Sequence, residues 1–221
     1  MLWCMPAKAL SPGAGPFVPH SADLAELHDA AQGCQGCDLY RHATQAVLGE
    51  GPPSARIVMV GEQPGDKEDV AGRPFVGPAG ALLERALHDA GIDRADVYIT
   101  NAVKHFKFEE RGKRRIHKKP STVEIAACKP WLSAEMAIIR PELIVCLGAT
   151  AARAVIGPQH RLLEERGHFF DHPWAAAVTA TIHPSAVLRS PDPAQRHANY
   201  ATFVEDLVAV RKKLSRVGKA H

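Results

Sequence analysis

Four polar stretches in this chain combine residue types that do chemistry. Residues 61–66, GEQPGD, offer Gly61, Glu62, Gln63 and Asp66, and the run ITN ends on Asn101. HPS, residues 183–185, carries His183 and Ser185 with Arg189 close by, and GKRRIHKKP, residues 112–120, sets His117 among five Lys or Arg side chains. Glutamate and histidine move protons or act as nucleophiles. An asparagine amide presents donors and an acceptor side by side, and the basic run suits a phosphate backbone. Each stretch also has an ordinary reading. Glycine and proline after a strand make turns, a lone asparagine is a cap, and a histidine before proline is a loop residue. A basic run is most often a solvated nucleic-acid or localisation patch. His117 is therefore either a bystander in a phosphate-binding loop or the residue the loop exists to present.

The cysteines form a second constellation. Cys34 and Cys37 make a C-x2-C pair, Cys128 and Cys146 follow far downstream with seventeen residues between them, and Cys4 stands apart. A cytosolic chain argues against disulfides, and zinc knuckles normally show a second close pair. Cys34, Cys37, Cys128 and Cys146 together suit an iron–sulfur cluster with Cys4 left as an ordinary thiol. Cys128 and Cys146 could equally be buried small hydrophobes.

The elements that must position these residues alternate. ARIVMVG (55–61), ADVYITNAV, PELIVCLG and AAAVTATIHP are short apolar runs rich in β-branched residues, the pattern of buried parallel strands. Between them lie helical patterns. SADLAELHDAAQGC begins at a Ser21 cap, and GPAGALLERALHDAG sets Leu82, Leu83, Ala86, Leu87 and Ala90 on one face and stops at Gly91. STVEIAACKPWLSAEMAII opens with a capping box from Ser121 to Glu124 and is expected to kink or break at Pro130. ATAARAVIG is a short helix and QRHANYATFVEDLVAVRKKL a longer one. Strands alternating with helices predict an α/β fold, a central parallel twisted sheet flanked by helices on both faces. In such sheets ligands bind beyond the carboxyl ends of the strands, which is where GEQPGD, Asn101 and HPS fall.

With 221 residues and 46% hydrophobic composition, the chain builds one sizeable core. The expected organisation is a loose arm over residues 1–20, packing through Trp3 and Phe17, and one domain over residues 21–221. No run approaches the roughly 20 apolar residues of a membrane span, and the first residues lack the apolar core of a signal peptide. The expectation is a soluble, cytoplasmic, monomeric protein. The net charge of +3 is mild, but between Lys107 and Lys119 there are seven Lys or Arg against two Glu. Positive charge is concentrated where a nucleic-acid backbone would use it.

GEQPGDKED, GRPFVGPAG, the asparagine of ITNAVK, the HPS run and the four cysteines resemble the iron–sulfur uracil-DNA glycosylases of family 4, over roughly residues 30–210. Two features depart from ordinary members: Gln63 inside the first motif, and the KRRIH insert after the Asn101 strand. Both are similar to the UdgX branch of the superfamily.

The resemblance implies uracil-containing DNA, preferentially single-stranded, as partner, uracil as released base, and a 4Fe-4S cluster on the four cysteines. A glycosylase takes its base out of the stack, stacks it on a side chain and reads its polar edge. Phe75 is the implied stacking face. The Asn101 amide suits uracil O4 and N3–H and disfavours cytosine, whose donor and acceptor are reversed. His183 is implied to bond the departing uracil O2, where charge develops in the transition state. Gly61, Gln63, Asp66, Arg115 and Ser185 are implied substrate contacts.

The resemblance to this branch implies that His117 replaces water as the group that captures C1′ of the sugar, and that Glu62 orients His117 or takes its proton. Like charge from the surrounding Lys and Arg is expected to keep the His117 imidazole neutral. Two other readings stay open: a family 4 enzyme that turns over, with KRRIH binding phosphate only, and a DNA-binding module without catalysis.

Overall fold

The computed structural model describes residues 12–20 and 23–217. Its strands are β1 (Ile57–Gly61), β2 (Val97–Asn101), β3 (Phe108–Arg111), β4 (Arg114–His117), β5 (Leu143–Leu147), β6 (Phe169–His172) and β7 (Ala175–Thr181). The helices are α1 (Leu24–Ala31), α2 (Asp66–Ala71), α3 (Pro78–Ala90), α4 (Thr122–Ile139), α5 (Ala149–Val155), α6 (Leu162–Glu165), α7 (Pro184–Leu188) and α8 (Pro193–Val217).

The main sheet runs in the order β2-β1-β5-β7-β6. It is parallel except at the β6 edge, which pairs antiparallel with β7. This is the expected α/β architecture. β1, β2 and β5 are buried throughout because helices cover both faces. Side chains alternate accordingly. Ile57, Met59, Ile99, Val145 and Leu147 pack on one face with α3 and α8, and all five α3 residues expected to face the core do so. Val58, Val60, Ile144, Cys146 and Ala180 pack on the other with Leu132 and Met136 of α4. A third cluster under α1 and α4 gathers Leu27, Leu48, Val103 and Trp131 with Cys34, Cys37 and Cys128.

Two local expectations, a break of the helix at Pro130 and a Ser21 cap, are corrected. α4 runs unbroken through Pro130. Cys128, Trp131 and Leu132 are buried on either side of the proline, so packing outweighs the one missing N–H. Phe17 packs on the third cluster as expected of the arm, and Gly13 N donates to Gly36 O and Ala14 N to Ala127 O beside it. Asp23 caps α1; Trp3, Cys4 and Ser21 lie outside the described residues. The Ser121–Glu124 capping box forms as expected.

One buried ion pair ties the layers together. Lys104 Nζ lies 2.6 Å from Glu135 Oε2, and both side chains are fully buried. Glu135 also accepts from Gly49 N, Tyr98 Oη and Thr100 Oγ1, while Lys104 donates to Thr100 Oγ1 and to the Asn101 carbonyl at 2.8 Å. The pair stays folded because nearly every lone pair and proton has a partner. Lys104→Met should destabilise the protein by about 3–5 kcal/mol in urea unfolding by stranding a buried carboxylate. Arg161→Ala, at the exposed Arg161–Glu164 pair, should change stability by less than about 1 kcal/mol.

Candidate active site

From β1 the chain first adds β2 on one side and later β5 on the other, so the crevice beyond Gly61 is the topological switch point of the sheet. The expected residues meet there. A cleft of about 960 Å3 is lined by Glu62, Gln63, Asp66, Phe75, Asn101, His117, His183, Ser185 and Arg189.

The floor depends on two glycines. Gly61 pairs with Asn101 across the sheet, and a Cβ on Gly61 would lie 2.4 Å from Asn101 Oδ1 and 2.8 Å from Phe75 Cζ. Only glycine lets the amide and the ring close over the strand end. Phe75 itself has φ of 55°, unusual for a bulky residue, and a Cβ on Gly80 would fall 1.6 Å from its carbonyl oxygen. The strained backbone aims the ring at His183, with centroids 5.8 Å apart and planes 30° off parallel.

His183 caps α7: its Nδ1 accepts from Ser185 N at 3.1 Å and lies 2.8 Å from Ser185 Oγ. With Nδ1 an acceptor, the neutral ring carries its proton on Nε2. Burial, reinforced by the positive charge of Arg189 and by the nearby His117, lowers the His183 pKa to about 4. At neutral pH the residue is therefore a neutral hydrogen-bond donor.

The KRRIH segment is a hairpin of β3 and β4 that turns at Gly112, where φ is 61°. Its last pair, Phe108 and His117, packs on Phe106, with centroid distances of 5.1 Å from the Phe106 ring to Phe108 and 6.1 Å to His117. Gln63 braces the base of the hairpin: its amide donates to the Lys107 and Lys118 carbonyls and accepts from Lys107 N. Arg115, expected at the DNA backbone, is engaged inside the protein. It bonds Asp66 and buried Asp69 at 2.6 Å each and stacks 5.1 Å from the Phe108 ring centroid. Asp69 in turn accepts from Thr44 N and Oγ1.

These contacts place His117 Nε2 3.4 Å from Glu62 Oε1, with the imidazole half exposed to the cleft. Thr150 Oγ1 donates a short hydrogen bond to the other Glu62 oxygen and fixes the carboxylate. Of the five cations expected around His117, Arg115 and Lys118 carry their own carboxylate partners, and the Glu62 carboxylate faces the imidazole.

The cysteines divide. Cys34, Cys37 and Cys128 share the third core cluster, and Cys34 Sγ and Cys128 Sγ accept from Trp131 Nε1 and Lys104 N. Burial pushes the Cys128 thiol up to about 12, opposed by Lys104 and raised again by Cys37 and Cys34 nearby. Cys146, expected as the fourth ligand, instead sits on β5 between Val60 and Ala180 in the second cluster, raised by burial alone. Among the described residues no three His, Cys, Asp or Glu side chains already form a metal site. The three grouped thiols with N–H donors to sulfur nevertheless have the donor chemistry of an iron–sulfur centre.

Sequence reasoning missed Thr150 and Asp69, which act through partners 88 and 46 residues away. Thr150 stands one residue after the first position of α5, at the end of a predicted buried strand, the one local signal that marked it.

Residues 48–208 match the Uracil DNA glycosylase superfamily, and the chain belongs to it. Among its relatives, a Type-4 uracil-DNA glycosylase of Thermotoga maritima is 43% identical over 158 residues, covering 71% of this chain and 79% of that protein. A Type-4 uracil-DNA glycosylase of Pyrobaculum aerophilum is 38% identical over 176 residues, covering 76% and 86%. A Type-5 uracil-DNA glycosylase of the latter organism is 33% identical over 121 residues, 48% of this chain and 50% of that protein.

The depressed His183 pKa predicts a pH effect on stability. The unfolded ring binds its proton near pH 6.5 and the folded ring near pH 4, so stability falls as pH drops between those values. Urea unfolding at pH 7 and 4.5 should show a smaller loss for His183→Gln than for the parent, by about 2–3 kcal/mol. Equal losses would place the charged imidazole in the folded state.

Proposed function

We propose that this protein is a uracil-DNA glycosylase that excises uracil from DNA, preferentially single-stranded, and stays bound to the abasic sugar through His117. The observation that carries the covalent step is the 3.4 Å approach of His117 to Glu62 at the mouth of the cleft where Phe75, Asn101 and His183 converge. Excision itself rests on family membership and on the Type-4 relatives.

The extruded base stacks on Phe75, and the Asn101 amide N–H donates to O4 while its oxygen accepts from N3–H. As the N1–C1′ bond breaks, its electron pair leaves with uracil, and the neutral His183 Nε2–H donates to O2, where that charge accumulates. Positive charge develops at C1′. A ring-nitrogen lone pair of His117 forms the new N–C1′ bond, and the resulting imidazolium passes its remaining N–H proton to Glu62. The product is a neutral N-alkyl imidazole, a poor leaving group, so the enzyme acts once. Lys113, Arg114 and Lys119, which have no carboxylate partner among the described residues, are left to hold the phosphates. Cys34, Cys37 and Cys128 would hold an iron–sulfur cluster that cross-links the chain around the hairpin. Among the described residues no helix is long and apolar enough to cross a membrane.

His117→Ser should abolish the adduct that survives SDS and heat yet still release uracil with turnover, because a small side chain admits water. Free uracil, free abasic DNA and crosslinked DNA followed in parallel on single-stranded substrate test this. Crosslinking at the parental rate would assign the nucleophile elsewhere; turnover by the parent without adduct would leave an ordinary glycosylase.

Asn101→Asp removes the N–H donor to O4 and should weaken uracil excision by about 1–3 kcal/mol of discrimination, on the scale of a lost base-reading pair. Single-turnover rates on uracil and cytosine substrates measure it, and unchanged discrimination would remove Asn101 from base reading.

A further inference from the structure

We propose that a second pocket, between α3, α7 and α8, receives a nucleotide that flanks the uracil on one side of it in the same DNA strand. The proposal rests on the glycosylase reading above and adds a strand path to it.

The pocket has a volume of about 500 Å3. α3 contributes Pro78, Ala81, Leu82 and Arg85, and α8 contributes Pro193, Arg196, His197 and Tyr200. Both sets follow the i, i+3, i+4, i+7 spacing that gathers residues on one helical face. Val187 and Leu188 of α7 complete the lining. The first turns of α8 are held in place, because Gln195 N donates to Asp192 Oδ1 at 2.8 Å and Asn199 Nδ2 donates to Ser190 Oγ at 3.0 Å.

This pocket continues the cleft. Pro78 and Leu188 line both, so the two share a rim at the first turn of α3 and the end of α7. A strand whose uracil lies in the cleft has the pocket as its neighbour on that side.

The lining suits a nucleotide. Its titratable residues, Arg85, Arg196 and His197, are all bases and all exposed. The carboxylates of α3 are engaged elsewhere: Glu84 pairs with Arg94 at 2.9 Å, and Asp89 accepts from Tyr200 Oη at 2.6 Å. That hydrogen bond fixes the Tyr200 ring, and the Arg85 guanidinium stacks over it at 4.1 Å from the centroid. An aromatic ring and an arginine beside free cations are what single-strand sites use, stacking a base without reading it and holding its phosphates. Buried Leu82 and Val187 supply an apolar floor for the base. The footprint on DNA is therefore asymmetric about the uracil.

The test uses the full chain and single-stranded oligonucleotides that carry one uracil. In one series the 5′ flank is long and fixed while the 3′ flank grows by single nucleotides; in the other the flanks are exchanged. Single-turnover uracil release and fluorescence anisotropy are measured for the parent, Arg85→Gln, Arg196→Gln, Arg196→Lys and Tyr200→Leu. In one series only, the parent should gain rate and affinity once the growing flank reaches the pocket. Arg85→Gln, Arg196→Gln and Tyr200→Leu should lose about tenfold in affinity for the long-flank member of that series and equal the parent on its shortest member. Arg196→Gln should also lower the salt slope of long-flank binding by about one, and Arg196→Lys should restore it. Equal gains in both series, variants that match the parent at every length, or a loss already complete on the shortest flank overturns the proposal. A parent that releases no uracil from any oligonucleotide overturns the glycosylase reading instead, while anisotropy still reads the pocket. The exposed arginines guard against any disturbance of α8 by Tyr200→Leu.

Discussion

The Lys104–Glu135 ion pair is the constraint on which the rest of the site depends. Its cation reaches the Asn101 carbonyl, fixing the strand end that presents the amide to the cleft, and its own backbone N–H reaches Cys128. Its anion holds Gly49, Tyr98 and Thr100. One buried residue thus joins the Asn101 end of β2 to the grouped cysteines and to α4. A fully buried charge is tolerable only with complete pairing, so the arrangement admits little slack.

The cleft shows the same economy of position. Phe75 is held in a strained backbone conformation by the absence of a side chain on Gly80, and it faces His183 across a floor that Gly61 keeps clear. The hairpin stands apart from this rigid floor. It is fastened by Gln63, by Arg115 across Asp66 and Asp69, and by a small aromatic stack of Phe106 and Phe108. The hairpin thus carries His117, the proposed nucleophile, separately from Phe75, Asn101 and His183 on the floor. Glu62 belongs to both parts, bonded to Thr150 below and facing His117 above.

Much of this was legible in the sequence where local patterns decide structure. Apolar runs marked β1, β2, β5 and β7, and the spacing of Leu83, Ala86, Leu87 and Ala90 marked the buried face of α3. The polar sequence after three strands located the crevice. The hairpin was not legible, because FEERGKRRIH is charged throughout and shows no apolar alternation. Arg115 reads as a phosphate contact in a basic run, and only the distant Asp66 and Asp69 turn it inward. Cys146 carried two signals in conflict, one from counting cysteines and one from its place within the buried run LIVCL; in the fold the strand position prevails. Pro130 fell to packing on both its flanks.

The account stands most directly on the atom to which the sugar is joined. The protein is reacted with a uracil-containing oligonucleotide, the SDS-resistant species is digested with protease and nuclease, and its peptides are sequenced by tandem mass spectrometry. The structure predicts a deoxyribose-derived mass on His117 and on no other residue. A modification on Glu62, on a lysine of the basic run or on any other side chain, or the absence of any modified peptide alongside free abasic DNA, would contradict the role given to His117.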